Sequence, residues 1–192
     1  MNHNINDLKA ARSHFQLAVD WLARYSSKTA VDLCQAALTM PGYFDIPASI
    51  SGHHHTANGG HAIHTAQVLE IALGMVKEIP GAKRAEMIVA ILWHDIGKLC
   101  SYEPAPVPPD RWQKTRNYDL IGHLPTSALM FQEACPTHSG LDTKLIQHII
   151  LSHHGRNEWG SPVVPKTPEA WAVHAADMMS SQFLKEEPRG NV

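Results

Sequence analysis

Apolar residues recur at helical spacing along most of the chain. Leu8, Phe15, Val19 and Leu22 stand among polar neighbours and predict a helix over residues 5–26. A second is expected over 29–39, stopped by Pro41-Gly42. Residues 47–60 read as a loop, and Gly59-Gly60 allow a tight turn into the next helix. That third helix is expected over 61–78, with Ile63, Ala66, Leu69, Leu73 and Val76 on its apolar face, and it ends at Pro80-Gly81. A fourth covers 83–96, with Ile88, Ile91, Leu92 and Ile96 inward. Residues 101–118 (SYEPAPVPPDRWQKTRNY) break the pattern and predict a Pro-rich loop, long enough to suggest a function. Helical spacing returns at 120–134, 141–153 and 168–184. No strand alternation persists anywhere, so the expected fold class is all-α.

A length of 192 residues suits one domain with a real core. With 44% hydrophobic and 18% charged residues the balance is that of a soluble globular chain. The formal net charge of -2 argues against a standing electrostatic grip on long nucleic acid. Cys34, Cys100 and Cys135 are odd in number and widely spaced, which reads as reduced thiols rather than a disulfide frame. The N-terminus has no apolar core of signal-peptide type, and no run is long enough to span a bilayer. The expected location is the cytoplasm, with no membrane partner. What stands out is histidine: there are 14, most of them clustered.

The fourth helix ends unusually. Its apolar run leads into Trp93-His94-Asp95-Ile96-Gly97-Lys98. A carboxylate at the inner end of a hydrophobic helix is costly unless it is paired or bound to a cation. Taken alone, these residues are equally a helix end with an exposed His-Asp pair. The rest of the chain favours a metal. His64 lies one turn into the third helix, beside its apolar face. His174 and Asp177 are three apart and share a face among Ala172, Val173, Ala176 and Met179. His153 and His154 follow Ile150 at i+3 and i+4, and His123 opens another helix after Gly122. Several helices each direct an imidazole or carboxylate from an apolar stripe, which is the pattern of a metal site.

The order His … His-Asp … Asp on separate helices resembles the HD superfamily of metal-dependent phosphohydrolases. The residues matching its four metal ligands are His64, His94, Asp95 and Asp177. SGHHHTANGG with His-Thr three residues on, WHDIGK, a Gly-His after a long loop, and ILSHHGRNEWGSPVVPKTPEA are similar to the HD domain of HD-type 3′→5′ exoribonucleases. The stretch around His53-His54-His55 also resembles the HD region of some conjugative relaxases. The resemblance implies one domain over 1–192: a helical HD core at 46–184 with the Pro-rich loop at its active site, and a helical extension at 1–45 packed on it. It implies one or two divalent transition metals per chain, drawn from Mn, Fe, Ni, Co and Zn. Asp95 would bridge to a second metal held by His123, His153 and His154. Two metals about 3.5–4 Å apart suit phosphodiester hydrolysis.

The implied activity is hydrolysis of nucleotide or short single-stranded oligonucleotide phosphoesters by metal-activated water, with Asp95 and Lys98 as the catalytic residues. The alternative is a metal-binding regulatory module without turnover. Lys98 matches a lysine that contacts substrate phosphate; its other reading is a charge that favours the helix dipole. Further substrate contacts are expected from His54, Arg111, Lys114 and Arg116, with Trp112 and Tyr118 for base stacking. The other reading of that stretch is a solvated loop that packs Trp112. His3, His14, His61, His138 and His148 read as bystanders. Departures from the exoribonuclease pattern are Ile63 where those relatives have glutamate, a longer loop before His123, and about 45 helical residues in place of a small β-barrel. Nothing in the sequence indicates an oligomeric state.

Overall fold

The structure is a computed structural model that describes residues 5–51, 54–106 and 111–183. Helices α1 (Leu8–Tyr25) and α2 (Lys28–Leu38) start at side-chain caps, Asp7 accepting from Ala10 N at 2.8 Å and Ser27 from Ala30 N at 3.2 Å. Helices α3 (Gly60–Val76) and α4 (Arg84–Trp93) are the core elements. Met87 to Trp93 are buried without a break, as expected of a helix enclosed on all sides. Helices α7 (His123–Ala134), α8 (Thr143–Ser152) and α9 (Pro168–Phe183) close the bundle. The α9 helix lies along α3, α8 along α4, and the N-terminal pair covers the remaining faces, α1 on α3 and α2 on α4. One apolar cluster runs through all of them, from Ile5 to Ala176. Among the described residues no helix is long and apolar enough to cross a membrane.

The all-α expectation holds, with two local corrections. The fourth helix stops at Trp93 rather than continuing to 96. From there the backbone tightens to i→i+3 bonds: Ile96 N to Trp93 O at 3.3 Å and Lys98 N to Asp95 O at 2.9 Å. The cause is local. The Ile91 carbonyl, which a regular helix would offer to Asp95 N, is taken by the His94 backbone at 3.4 Å and its ring Nδ1 at 2.6 Å. A four-residue helix α5 (Lys98–Ser101) follows.

The second correction concerns the expected loop at 101–118. Strand β1 (Tyr102–Pro104) pairs antiparallel with β2 (Trp112–Lys114), and Arg116–Leu120 form α6. Three-residue strands are too short to show alternation in a sequence. Two bonds hold the centre of the bundle in place: Trp93 Nε1 donates to Leu33 O at 3.1 Å, and Tyr43 Oη to Leu92 O at 3.4 Å. They tie α4, and with it His94 and Asp95, to the elements on either side.

Candidate metal centre

Seven of the residues singled out in the sequence meet at one point. They come from α3 (His64), the turn after α4 (His94, Asp95), the start of α7 (His123), the end of α8 (His153, His154) and α9 (Asp177). Asp95 is 1% exposed and sits between two groups. Its Oδ2 lies 3.4 Å from His94 Nε2 and 3.7 Å from His64 Nε2, and Asp177 Oδ1 is 3.1 Å from the same His64 nitrogen. Its Oδ1 lies 3.3 Å from His123 Nε2 and 3.6 Å from His153 Nε2, with His154 Nε2 3.4 Å from His123 Nε2. Each carboxylate oxygen thus faces its own set of histidines.

The rings are held by their other nitrogens. His94 and His153 cap α4 and α8, and each Nδ1 donates to the carbonyl three residues back, Ile91 O at 2.6 Å and Ile150 O at 2.7 Å. His154 Nδ1 donates to Trp159 O at 2.8 Å. Ser180 Oγ donates to Gln67 Oε1 at 2.7 Å and so accepts from His64 Nδ1 at 2.8 Å. In all four rings Nδ1 is taken up by these bonds and Nε2 faces the centre, the arrangement that orients a metal-binding imidazole. Ser180 is three residues past Asp177 and Gln67 three past His64; that i+3 spacing was the available signal for them.

The electrostatics suit a cation. Burial opposes the charge on Asp95, yet the Lys98 ammonium and the His94 ring hold its carboxyl well below the usual range. Asp177 is likewise lowered against its burial, by the His64 ring beside it. Burial pushes His64 and His123 down, and takes His154 to about 4 with help from His153. These rings are neutral at pH 7, the ligating form. Burial also disfavours charge on His94, but the Asp95 carboxylate outweighs it and raises that ring. Two buried carboxylates are then set against a single buried ammonium, Lys98, 2.5 Å from Asp95 Oδ2. Asp95 Oδ1 and His153 Nε2 make no hydrogen bond despite complete burial. Such atoms are rare without a reason, and a bound cation supplies one. The donor set fits a divalent metal.

A family model for the HD domain matches residues 62–181. The chain belongs to the HD domain family. It is 32% identical over 143 residues to the 3′-5′ exoribonuclease YhaM of Geobacillus sp. (strain WCH70), covering 73% of this chain and 43% of that protein. Identity is 31% over 144 residues to the YhaM of Bacillus pumilus and 29% over 146 to that of Bacillus subtilis, each covering 73% of this chain and 44% of the relative. The chain therefore spans less than half the length of these relatives. No solved structure matches it.

In this HD domain Gly97 has a packing role that no sequence pattern marks. A Cβ there would lie 2.3 Å from His123 O and 2.8 Å from Ser127 N. Gly97 N also donates to Ser127 Oγ at 2.9 Å. The glycine lets α7 press against the His-Asp turn, so that His123 reaches Asp95. Gly97→Ala is expected to cost about 1–3 kcal/mol as an overpacked core does, and to lower metal uptake on the His123 side of Asp95 more than on the His64 side. Urea unfolding and metal titration check this; unchanged metal uptake would contradict it. Gly155, at φ +84, is similarly packed on the His174 ring, whose Nδ1 donates to His153 O at 2.8 Å.

The other expected residues are distributed less evenly. His54 stands half-buried beside His64, ring centroids 5.0 Å apart, with its Nδ1 3.2 Å from His55 Nδ1; His53 lies outside the described residues. Arg111, Lys114 and Arg116 are exposed. Among the described residues no hydrogen bond or ion pair links these three cations to the seven clustered residues. Lys114 Nζ lies over the Tyr118 ring at 4.0 Å, and Tyr118 also packs on Tyr102. Trp112 Nε1 donates to Asn58 Oδ1 at 2.8 Å, tying β2 to the histidine loop. Of the expected bystanders, His14 pairs with Glu70 and His148 accepts from Lys166 N; His61 is buried edge-on to Tyr43, and His3 lies outside the described residues.

Proposed function

We propose that this HD domain is a dinuclear phosphodiesterase acting on nucleotide or short single-stranded oligonucleotide phosphoesters. The observation that supports it most is the division of Asp95, one oxygen toward His64 and His94, the other toward His123 and His153. We assign the first metal to His64, His94, Asp95 and Asp177, and the second to Asp95, His123, His153 and His154. Mixed imidazole and carboxylate donors suit Mn, Fe, Co, Ni or Zn. Two divalent cations there would acidify water and neutralise charge on a phosphate ester under attack.

The chain's own groups do the rest. The locked rings keep their lone pairs on the centre, so little reorganisation is needed on metal binding. Lys98 keeps Asp95 ionised. An ammonium has three N–H donors; Asp95 takes one, and two remain for oxygens of a substrate phosphate. His54, at the His64 side, is assigned to the substrate. Arg111, Lys114 and Arg116 are assigned to more distant phosphates of a short strand, since nothing ties them to the centre. The exoribonuclease activity named for the relatives supports an RNA-type substrate. The chain is read as one domain, residues 1–45 buttressing the core at 46–184, because both share one apolar cluster. It is read as cytoplasmic on its three unbridged cysteines.

The test compares a dinucleotide, a short oligomer and a long single strand at equal salt with Mn²⁺. With net charge -2 the short substrates are expected to be cleaved faster per end. Metal uptake without cleavage of any phosphoester would leave the regulatory-module reading; rapid processive loss of the long strand would overturn the preference for short ones.

A further inference from the structure

A cavity of about 360 Å3 opens beside the His123–His154 side of the centre. The two histidines form part of its wall, so whatever fills it touches the His123 ring that faces Asp95 Oδ1 and the His154 ring beside it. The rest of the wall has another character. Tyr118, Ile121 and Trp159 supply apolar and aromatic surface, and Asp119 is the one acidic side chain. Ile121 is 52% exposed and Trp159 46%, large apolar groups left open to solvent at the edge of a buried polar cluster. The Arg156 guanidinium sits 4.9 Å over the Trp159 indole and adds a positive charge at the rim.

We propose that this cavity is a nucleoside subsite, in which Trp159 stacks the base of the nucleotide whose phosphate lies against His123 and His154. The proposal rests on the phosphodiesterase reading for the position of that phosphate. Its occupant is set by the walls. A flat aromatic body suits indole and phenol rings, and base–aromatic stacking tolerates any base. The anionic end belongs on the histidine and Arg156 side, and the sugar hydroxyls beside Asp119, which repels phosphate and accepts from O–H. The volume lies near the lower end of small-ligand sites, roughly 300–1,000 Å3, which suits one nucleoside rather than a run of bases. The backbone of the same residue has a separate role: Trp159 O accepts from His154 Nδ1. Substituting the side chain leaves that bond available, so stacking is separable from positioning of the histidine.

The experiment measures binding of adenosine 5′-monophosphate and ribose 5-phosphate to the Mn²⁺-loaded protein by calorimetry, alongside metal content. The wild-type protein is expected to prefer the nucleotide. Trp159→Ala is expected to weaken it on the order of ten- to a hundred-fold, with ribose 5-phosphate affinity and metal content unchanged, and Trp159→Phe to restore most of the difference. Equal affinity of the wild-type protein for the two ligands, or no binding of the nucleotide, overturns the subsite. So does a parallel loss of both ligands in Trp159→Ala, which would mark a structural effect. Absence of phosphodiester cleavage would count against the enzymatic reading alone, because base-dependent binding is read without turnover.

Discussion

Asp95→Asn is expected to lower turnover by about a hundred- to a thousand-fold, the scale for removing a group that acts directly on transition-state charge, while leaving the fold intact. The substitution preserves shape and removes one negative charge from between two sets of imidazoles. An amide cannot offer both metals an anionic oxygen; its nitrogen end offers none. If the proposed dinuclear centre holds, metal content should fall together with rate, from two per chain to one or fewer. Circular dichroism and a thermal melt of the chelated protein would show that the helices survive. A variant that retains near wild-type rates and two metals would remove Asp95 from the bridging position.

Lys98→Met is expected to affect the metal-free protein most. Lys98 is 5% exposed, and its ammonium is the cation paired with the buried Asp95 carboxylate. Removing one partner of a buried pair strands the other, at a cost of about 3–5 kcal/mol. Bound metal compensates the same carboxylate, so the loss should shrink to about 1 kcal/mol or less once metal is loaded, with the metal-linked stabilisation correspondingly larger than in the wild-type protein. Denaturant unfolding in chelator and in Mn²⁺ reads this directly. Equal losses in the two conditions would mean that Lys98 acts through packing and not through charge.

Much of the architecture was legible because helical periodicity is strong where a helix buries one face. The long helices appear close to where Phe15, Leu69, Ile91 and Ile150 place them. The grouping of His64, His94, Asp95, His123, His153, His154 and Asp177 was legible for a related reason: each interrupts an apolar stripe, and such stripes converge on one core. What was not legible depends on three-dimensional detail. The early end of α4 follows from a ring nitrogen capturing the Ile91 carbonyl, and α8 ends on the same contact between His153 and Ile150. Periodicity does not distinguish that contact from one more helical turn. Nothing in the sequence marks Gly97 for a role, because its reason is the approach of α7 from 26 residues further on. The β1–β2 pair is too short to have a period. Arg111, Lys114 and Arg116 read equally as phosphate contacts or as a solvated loop, because closeness in sequence does not show where side chains go; the chain leaves them exposed and sets Lys114 over Tyr118. The wall containing Trp159 is assembled from α6, α7 and the 3-10 turn Asn157–Trp159, segments that no local pattern connects.

The proposed dinuclear centre has Asp95 at its middle. Anomalous diffraction from crystals of the Mn²⁺-loaded protein tests it most directly. Two peaks are expected, one among His64, His94 and Asp177 and the other among His123, His153 and His154, with an oxygen of Asp95 on each. A fully loaded crystal with no peak at Asp95, or with metal only at surface histidines, would contradict it.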